Sequence, residues 1–201
     1  VERSRGLGDV YKRQVTALLS QPLPGGNRVG ILTLGGGPGV VAAEACEKEG
    51  LGIAQLSPTT IEKLNGYLPS RWSHGNPVDT AGMTAAHRKF VFSSLWAMME
   101  DENIDAILFQ IPLVLSAERL SAILNLSPEK TRDFQEFQKE RLSMAVQRAK
   151  EYGKPLLLVT RFEAASLLRK EGIPAYHNPR HAARVLHHLV WYKHYLDALD
   201  R

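Results

Sequence analysis

Short apolar runs alternate along most of the chain with longer segments that have helical features. Five runs predict strands, and the longer ones are nearly continuous in Val, Ile, Leu and Phe, as in strands buried on both faces of a parallel sheet. The last contains Pro174, which favours an edge position because proline cannot donate to a strand ladder. The predicted strands are Arg28–Leu34, Leu51–Leu56, Asn103–Gln110, Lys154–Thr160 and Ile173–Tyr176.

Helix start and stop signals divide the segments between these runs. A serine followed by proline, as at Ser57 and Ser127, is typical of an N-cap and first helical residue, and Gly50 and Gly172 are typical of helix ends. The predicted helices are Val40–Glu49, Ile61–Leu68, Thr84–Met99, Ala117–Leu124, Pro128 to about Tyr152, Phe162–Glu171 and Pro179 to about Asp200. This alternation predicts an α/β fold with a doubly wound, parallel five-stranded sheet, flavodoxin-like, in the order 2-1-3-4-5.

A glycine-rich loop at residues 35–39 joins the first predicted strand to the first predicted helix. The first N–H groups of a helix lack intrahelical partners and carry the positive end of its dipole, so they attract anions. With Gly37 as N-cap and Pro38 at the first position, Gly39 and Val40 would present free N–H groups. The alternative is a tight turn that needs glycine only for its dihedral angles. The expected phosphate-binding residues are Gly35, Gly36, Gly37, Gly39 and Val40.

The second candidate segment is a polar loop, Ser70–Asp79, which has no hydrophobic periodicity. In an open parallel sheet the site lies at the carboxyl ends of the strands where the order reverses, so this loop and Gln110–Ser116 are expected near the glycine loop. Asp79 either accepts backbone N–H groups or positions a metal or substrate. His74 either reaches a phosphate or belongs only to the turn. The loop residues expected near the site are His74, Asn76 and Asp79.

The other residues give little indication of a metal site or of a catalytic nucleophile. The histidines of the last helix lack the i, i+4 spacing that brings two ligands together, and Cys46 lies in the body of a helix rather than at its N-terminus. No nucleophile–base pair stands out. We expect no metal site and no catalytic residue in this chain.

The amino-acid composition further restricts the class of protein and its possible partners. The 201 residues, 44% hydrophobic and 23% charged, suit one soluble globular domain. One cysteine excludes an intrachain disulfide, and no apolar run reaches membrane-spanning length, so we expect no membrane partner and a cytoplasmic location. Of the net charge of +4, residues 1–14 supply +2, from four basic and two acidic side chains, and the remainder is too small to favour nucleic acid.

The first fourteen residues have no apolar periodicity. Residues Gly6–Gln14 resemble translated sequencing adaptor. We interpret residues 1–14 as a probable non-native tail and residues 15–201 as the domain, and we expect the natural protein to continue upstream.

Several segments together resemble one family. They are RVGILTLGGGPGVVAAEA at residues 28–45, LSPTTI at 56–61, GNPVD at 75–79, NIDAI at 103–107, Lys154-Pro155 and GIPAY at 172–176. They are similar to the NDP-forming acyl-CoA synthetases, such as ADP-forming acetate–CoA ligase, which are related to succinyl-CoA synthetase. The resemblance covers Val15 to about Tyr195. It is to the second flavodoxin-like domain, which follows the CoA-binding and phosphohistidine-bearing domains.

This resemblance implies a part of an acid–thiol ligase. The helix after the glycine loop would stabilise a phosphohistidine supplied by another domain, which maps onto Gly35–Val40 with Asn76 and Asp79 nearby. The complete enzyme would use CoA, ATP or ADP, and Mg²⁺, with upstream domains and an ATP-grasp domain or subunit as partners. The domain alone would bind no cofactor. The family's Ser-His-Thr-Gly motif is absent, so we expect the chain to be inactive alone.

The alternative is a non-catalytic regulatory or assembly module. Its glycine loop would sense a phosphate or acyl-CoA ligand, for instance beside an acetyltransferase domain. The upstream gene sequence distinguishes the two hypotheses, because a Ser-His-Thr-Gly motif and a partner ATP-grasp chain would support the ligase.

Overall fold

The computed structural model describes residues 14–80, 88–111, 113 and 117–199. Within these residues a parallel sheet is flanked by helices on both faces. Helix α1 covers residues 14–20. The other elements are β1 (Arg28–Thr33), α2 (Gly36–Lys48), β2 (Gly52–Ile53), α3 (Pro58–Tyr67), β3 (Val78–Asp79), α4 (Arg88–Glu100), β4 (Ala106–Gln110), α5 (Ala117–Leu124), α6 (Pro128–Glu151), β5 (Leu156–Val159), α7 (Phe162–Lys170), β6 (Ala175–Tyr176) and α8 (Pro179–Leu199).

The strands run β2-β1-β4-β5-β6, and every pair is parallel. This is the order predicted from the five apolar runs, so the doubly wound parallel sheet is confirmed. The count of five is wrong, because β3 adds a sixth strand. It pairs Val78 and Asp79 with Leu32 and Thr33 at the carboxyl end of β1. Two residues inside a polar loop give no apolar run by which a strand could be predicted.

Both faces of the sheet are covered, and alternate strand residues belong to different core clusters. On β4, Ile107 and Phe109 pack in the cluster beneath α3, α4, α6 and α7. Ala106 and Leu108 pack in the cluster beneath α1, α2 and α8. All four are buried, which explains why the strand is a continuous apolar run.

Two predicted helix caps are confirmed. The Ser57 hydroxyl accepts from the N–H of Thr60 at 3.2 Å, and the Ser127 hydroxyl accepts from that of Lys130 at 3.4 Å. The helix after Ser57 begins at Pro58, which is the first helical position predicted from the Ser-Pro signal, and the capped first turn before Ile61 is itself helical. The predicted start of a helix at Thr84 lies outside the described residues.

A network of charged groups joins the amino ends of β1 and β4. Arg28 Nε and Nη2 each donate to Asp105 at 2.9 Å, and the backbone N–H of Arg28 donates to the same carboxylate at 2.9 Å. Burial raises the pKa of Asp105, but these hydrogen bonds and the Arg28 charge outweigh it and hold the pKa below its ordinary value. Burial likewise opposes ionisation of Asp101, and the N–H groups of Ser57 and Asn103 hold its pKa below the ordinary value. Both carboxyl groups therefore stabilise the folded state when they are ionised.

Candidate functional site

The glycine loop begins α2 two residues earlier than predicted. Gly35 is the N-cap, with extended dihedrals of φ −176° and ψ 150°, and Gly36 is the first helical residue. Pro38 is therefore third in the helix. The prediction of Gly37 as N-cap and Pro38 as first residue is wrong, because proline suits any early position whose N–H has no intrahelical partner. The register is set by Thr33, whose hydroxyl donates to the carbonyl of Gly35 at 2.5 Å and accepts its N–H at 3.1 Å.

This register moves the unpaired N–H donors. Gly39 donates its N–H to the carbonyl of Gly35 at 3.3 Å, so it is not free as predicted, and the N–H of Val40 falls within the intrahelical pattern. Pro38 has no N–H. Among the described residues, no group accepts a hydrogen bond from the N–H of Gly36 or Gly37. The available donors at this helix end are therefore Gly36 and Gly37.

The glycines of the loop are not required by backbone dihedrals. Positive φ angles among the described glycines occur at three other positions and at none of the loop residues. A Cβ at Gly37 would have no atom within 4 Å, whereas a Cβ at Gly39 would lie 3.2 Å from Pro77 Cβ. Packing therefore disfavours a side chain at position 39 but not at position 37. This contradicts the alternative of a turn that needs glycine only for its dihedral angles.

A cavity of about 410 Å³ opens beside the loop, at the carboxyl edge of the sheet. This is where ligands bind in open parallel α/β sheets. Strands β1, β4, β5 and β6 each contribute a residue at or just after the carboxyl end. The cavity is lined by Leu34, Gly35, Pro38, Gln110, Ile111, Val159, Thr160, Arg161 and His177. The structure therefore brings Gln110 and the glycine loop together, as expected.

One wall of this cavity is polar. Arg161 is the N-cap of α7 and is exposed, and no described residue forms a hydrogen bond or ion pair with its guanidinium. Thr160 Oγ1 accepts the N–H of Leu113 at 3.0 Å. Gln110 Oε1 is buried and has no hydrogen-bond partner among the described residues. The His177 ring packs against Phe162 with centroids 5.2 Å apart. The opposite wall, around Leu34 and Pro38, is apolar.

Sequence reasoning selected neither Arg161 nor His177 as a site residue. Both follow strands directly, Arg161 one residue beyond the predicted fourth strand and His177 one residue beyond the fifth. Because carboxyl ends of parallel strands share one edge, that position was a usable signal.

Asn76 supports the sheet and does not line the cavity. Its Oδ1 accepts the N–H of Ile31 at 2.9 Å, and its Nδ2 donates to the carbonyls of Val29 and Ala54 at 2.8 and 2.9 Å. Strand β1 pairs with β2 up to Val29 and with β3 from Leu32 onward. The Asn76 amide thus replaces the strand partner in the interval between them, and all its strong polar positions are engaged.

Asp79 lies on the other flank of the helix end. Its Oδ2 is 3.4 Å from the position that a Cβ of Gly36 would occupy, and its N–H donates to Ser73 Oγ at 3.2 Å. A carboxylate there stabilises the positive end of the α2 dipole but repels a second anion. His74 has φ 48° and is exposed, with Nε2 2.9 Å from the carbonyl of Ser70. The structure therefore does not place His74 at the cavity.

The remaining chemical candidates are accounted for by burial or spacing. Burial raises the pKa of the Cys46 thiol to about 12, so the thiolate that reacts with electrophiles is scarce. Within the described ranges, no three His, Cys, Asp or Glu side chains form a group that could hold a metal ion. In the same ranges, no helix combines the length and apolarity needed to span a bilayer.

Comparisons with known proteins agree on one group of enzymes. The chain is 34% identical over 176 residues to the alpha subunit of ADP-forming acetate–CoA ligase II from Pyrococcus furiosus, covering 85% of this chain and 35% of that subunit. It is 32% identical over 195 residues to the corresponding subunit of ligase I from the same organism, covering 92% of this chain and 37% of that subunit. No protein-family model matches the chain. The chain is a homologue of the ADP-forming acetate–CoA ligases.

A solved structure supports the fold of this ligase homologue. The dinucleotide-forming acetyl-coenzyme A synthetase 1 of Candidatus Korarchaeum cryptofilum, determined with phosphate and ADP, superposes with a TM-score of 0.64. The match covers 90% of this chain and 36% of that protein at 24% identity. The ligase homologue spans about a third of the length of the relatives it matches. The resemblance to this family and the α/β fold with a parallel sheet flanked by helices are therefore confirmed.

Proposed function

We propose that the chain is one domain of an ADP-forming acyl-CoA synthetase, in which the N-terminus of α2 stabilises a phosphoryl group carried by a histidine of another domain. One observation carries the proposal. The N–H groups of Gly36 and Gly37 have no acceptor among the described residues, and neither glycine is required by a left-handed backbone. At Gly37 the absence of a side chain leaves open space. That arrangement suits an anion approaching the backbone closely.

The chemistry of phosphoryl transfer suits such a site. The protein accelerates this reaction chiefly by positioning the group and stabilising its charge. Backbone N–H groups aimed at an oxyanion need no reorganisation during the reaction, and removing one such donor typically costs about 3 kcal/mol in other enzymes. Two N–H groups and the α2 dipole therefore form a useful part of such a site, although none of them transfers a proton.

The cavity also suits a group larger than phosphate alone. Its volume of about 410 Å³ lies within the usual range for small-molecule sites, about 300–1,000 Å³. A histidine that carries a phosphoryl group is an anion at the phosphoryl oxygens, and its other ring nitrogen is an N–H donor when the ring is protonated. Gln110 Oε1 lacks a partner among the described residues, and rotation about its broad terminal torsion would turn this acceptor toward such a donor.

The partners and cofactors remain proposals. CoA, ATP or ADP, and Mg²⁺ would be bound by other domains, namely a CoA-binding domain, the domain with the carrier histidine and an ATP-grasp domain or subunit. We propose that this chain contributes no catalytic residue of its own. A cytoplasmic location also stays a prediction.

The test begins with the uninterrupted gene. The complete synthetase, with its ATP-grasp partner, is incubated with radiolabelled ATP, and acid-labile, base-stable phosphohistidine is measured in the wild type, Gly37→Asp and Gly37→Asn. We expect phosphohistidine in the wild type and Gly37→Asn and its loss in Gly37→Asp. The isolated chain with acetyl-CoA, ADP and phosphate should form no ATP. Turnover by that chain alone would overturn the proposal, and normal phosphorylation of a folded Gly37→Asp enzyme would favour the regulatory module instead.

A further inference from the structure

The charges at the N-terminus of α2 do not balance a phosphoryl group by themselves. A phosphoryl group carries about −1.5 to −2 charges near neutral pH. A helix end offers the equivalent of only about +0.5. An anion held only by Gly36 and Gly37 would therefore keep most of its charge unbalanced, and a nearby cation would stabilise it.

Arg161 is placed to be that cation. It lines the same cavity as Gly35 and Pro38, and a sphere of the cavity's 410 Å³ is about 9 Å across. Gly36 and Gly37 lie between Gly35 and Pro38 in the chain, so an anion at their N–H groups would lie at the edge of the cavity that Arg161 also lines. The carboxylate nearest in sequence, Glu163, accepts a hydrogen bond from Arg119 at 2.8 Å instead. No described residue pairs with the Arg161 guanidinium, which leaves its donors available.

We propose that Arg161 is a phosphoryl-binding residue that completes the anion site across the cavity from the glycine loop. The inference rests on the proposed function, since it names a second contact for the same phosphoryl group. The planar guanidinium donates two parallel hydrogen bonds to phosphate oxygens, which a lysine ammonium cannot reproduce. Arg161 is exposed and its side chain makes no capping hydrogen bond, so the fold does not depend on it.

The experiment uses the whole chain, labelled with ¹⁵N, and inorganic phosphate as the probe. Phosphate is titrated at constant ionic strength and at one fixed pH for all variants. The shifts of the Gly36 and Gly37 amides report binding at the loop. The variants are Arg161→Gln, Arg161→Lys and the control Lys170→Gln. Lys170 is exposed in the last turn of the same helix, so its replacement changes net charge equally at the far end.

The expected pattern is specific. Phosphate shifts the two glycine amides in the wild type, Arg161→Gln weakens binding about tenfold, and Arg161→Lys falls between them. Lys170→Gln binds as the wild type does. Wild-type affinity in Arg161→Gln, or equal weakening in Arg161→Gln and Lys170→Gln, would overturn the role of Arg161 alone. A wild-type chain whose glycine amides do not respond to phosphate would overturn the anion site, and with it both proposals.

Discussion

Replacement of Gly37 by aspartate tests the anion site with little risk to the fold. A Cβ at this position has no atom within 4 Å, and the residue is exposed at the second position of α2. Aspartate in the first turn of a helix interacts favourably with the dipole, by about 0.3–1 kcal/mol. It also removes the conformational entropy cost of a helical glycine, up to about 1 kcal/mol. We therefore expect Gly37→Asp to unfold at or above the wild-type temperature.

The effect on anion binding has the opposite sign. A carboxylate at position 37 would stand about 4 Å from a phosphate held by the loop N–H groups. The repulsion per pair of unit charges is about 4 kcal/mol at an effective dielectric constant of 20 and about 1 kcal/mol in bulk water. Because Gly37 is exposed, solvent screening places the cost between these limits. We expect phosphate binding to weaken by between about fivefold and a thousandfold.

The matched control is Gly37→Asn, which adds a side chain of almost the same shape without charge. Phosphate titrations of the ¹⁵N-labelled chain, followed at the Gly36 amide, give the dissociation constants. Thermal unfolding by circular dichroism verifies the fold. Asparagine should lose only a small part of the affinity, and aspartate most of it. Equal affinity of the two variants would show that no anion lies in front of this helix end, and the electrostatic argument would be refuted.

Three further predictions concern the stability of the fold. Gly39→Ala should lower the free energy of unfolding by about 1–3 kcal/mol in denaturant titrations, because the added Cβ meets Pro77 Cβ at 3.2 Å, whereas Gly37→Ala should not lower it. Asn76→Ala should cost about 2–4 kcal/mol in the same measurement, since the N–H of Ile31 and the carbonyl of Ala54 lose their amide partner. The pKa values of Asp101 and Asp105 are lowered in the folded state, so the unfolded chain takes up protons first. Stability measured against pH should be complete above about pH 5 and fall progressively below it, and an unchanged melting temperature down to about pH 3 would contradict the two shifts.

The sheet could be predicted from the sequence because each of its longer strands is marked by a local pattern of apolar residues. Leu108 and Phe109 face opposite core clusters, so the strand must be apolar at consecutive positions, and that run is visible without knowledge of the fold. Serine caps are local for the same reason. Strand β3 could not be predicted, since Val78 and Asp79 pair with β1 only because distant residues bring the loop there.

The candidate site was predicted in outline and missed in detail. A glycine loop after a buried strand indicated the helix end correctly, but glycine and proline are compatible with several cap registers. The choice of Gly35 was made by the hydroxyl of Thr33, a contact that the strand itself supplies. Arg161 is far from the glycine loop in the sequence, and the order of the strands in the sheet brings the two to the same cavity. Such a residue is found from topology rather than from a motif.

The contacts beneath the loop explain how its donors are held in place without a ligand. Thr33 fixes the exit of β1 through two hydrogen bonds to Gly35. Gly39 is buried against Pro77, and the neighbouring Asn76 is bound to the backbone of β1. The start of α2 is therefore fixed from the strand side and from the β3 side at once. Donors held this way stabilise an anion without being reorganised as it arrives, which is the condition under which backbone N–H groups contribute most to phosphoryl transfer. Substitutions at Asn76 should consequently weaken phosphate binding as well as the fold, although the Asn76 side chain touches no part of the cavity.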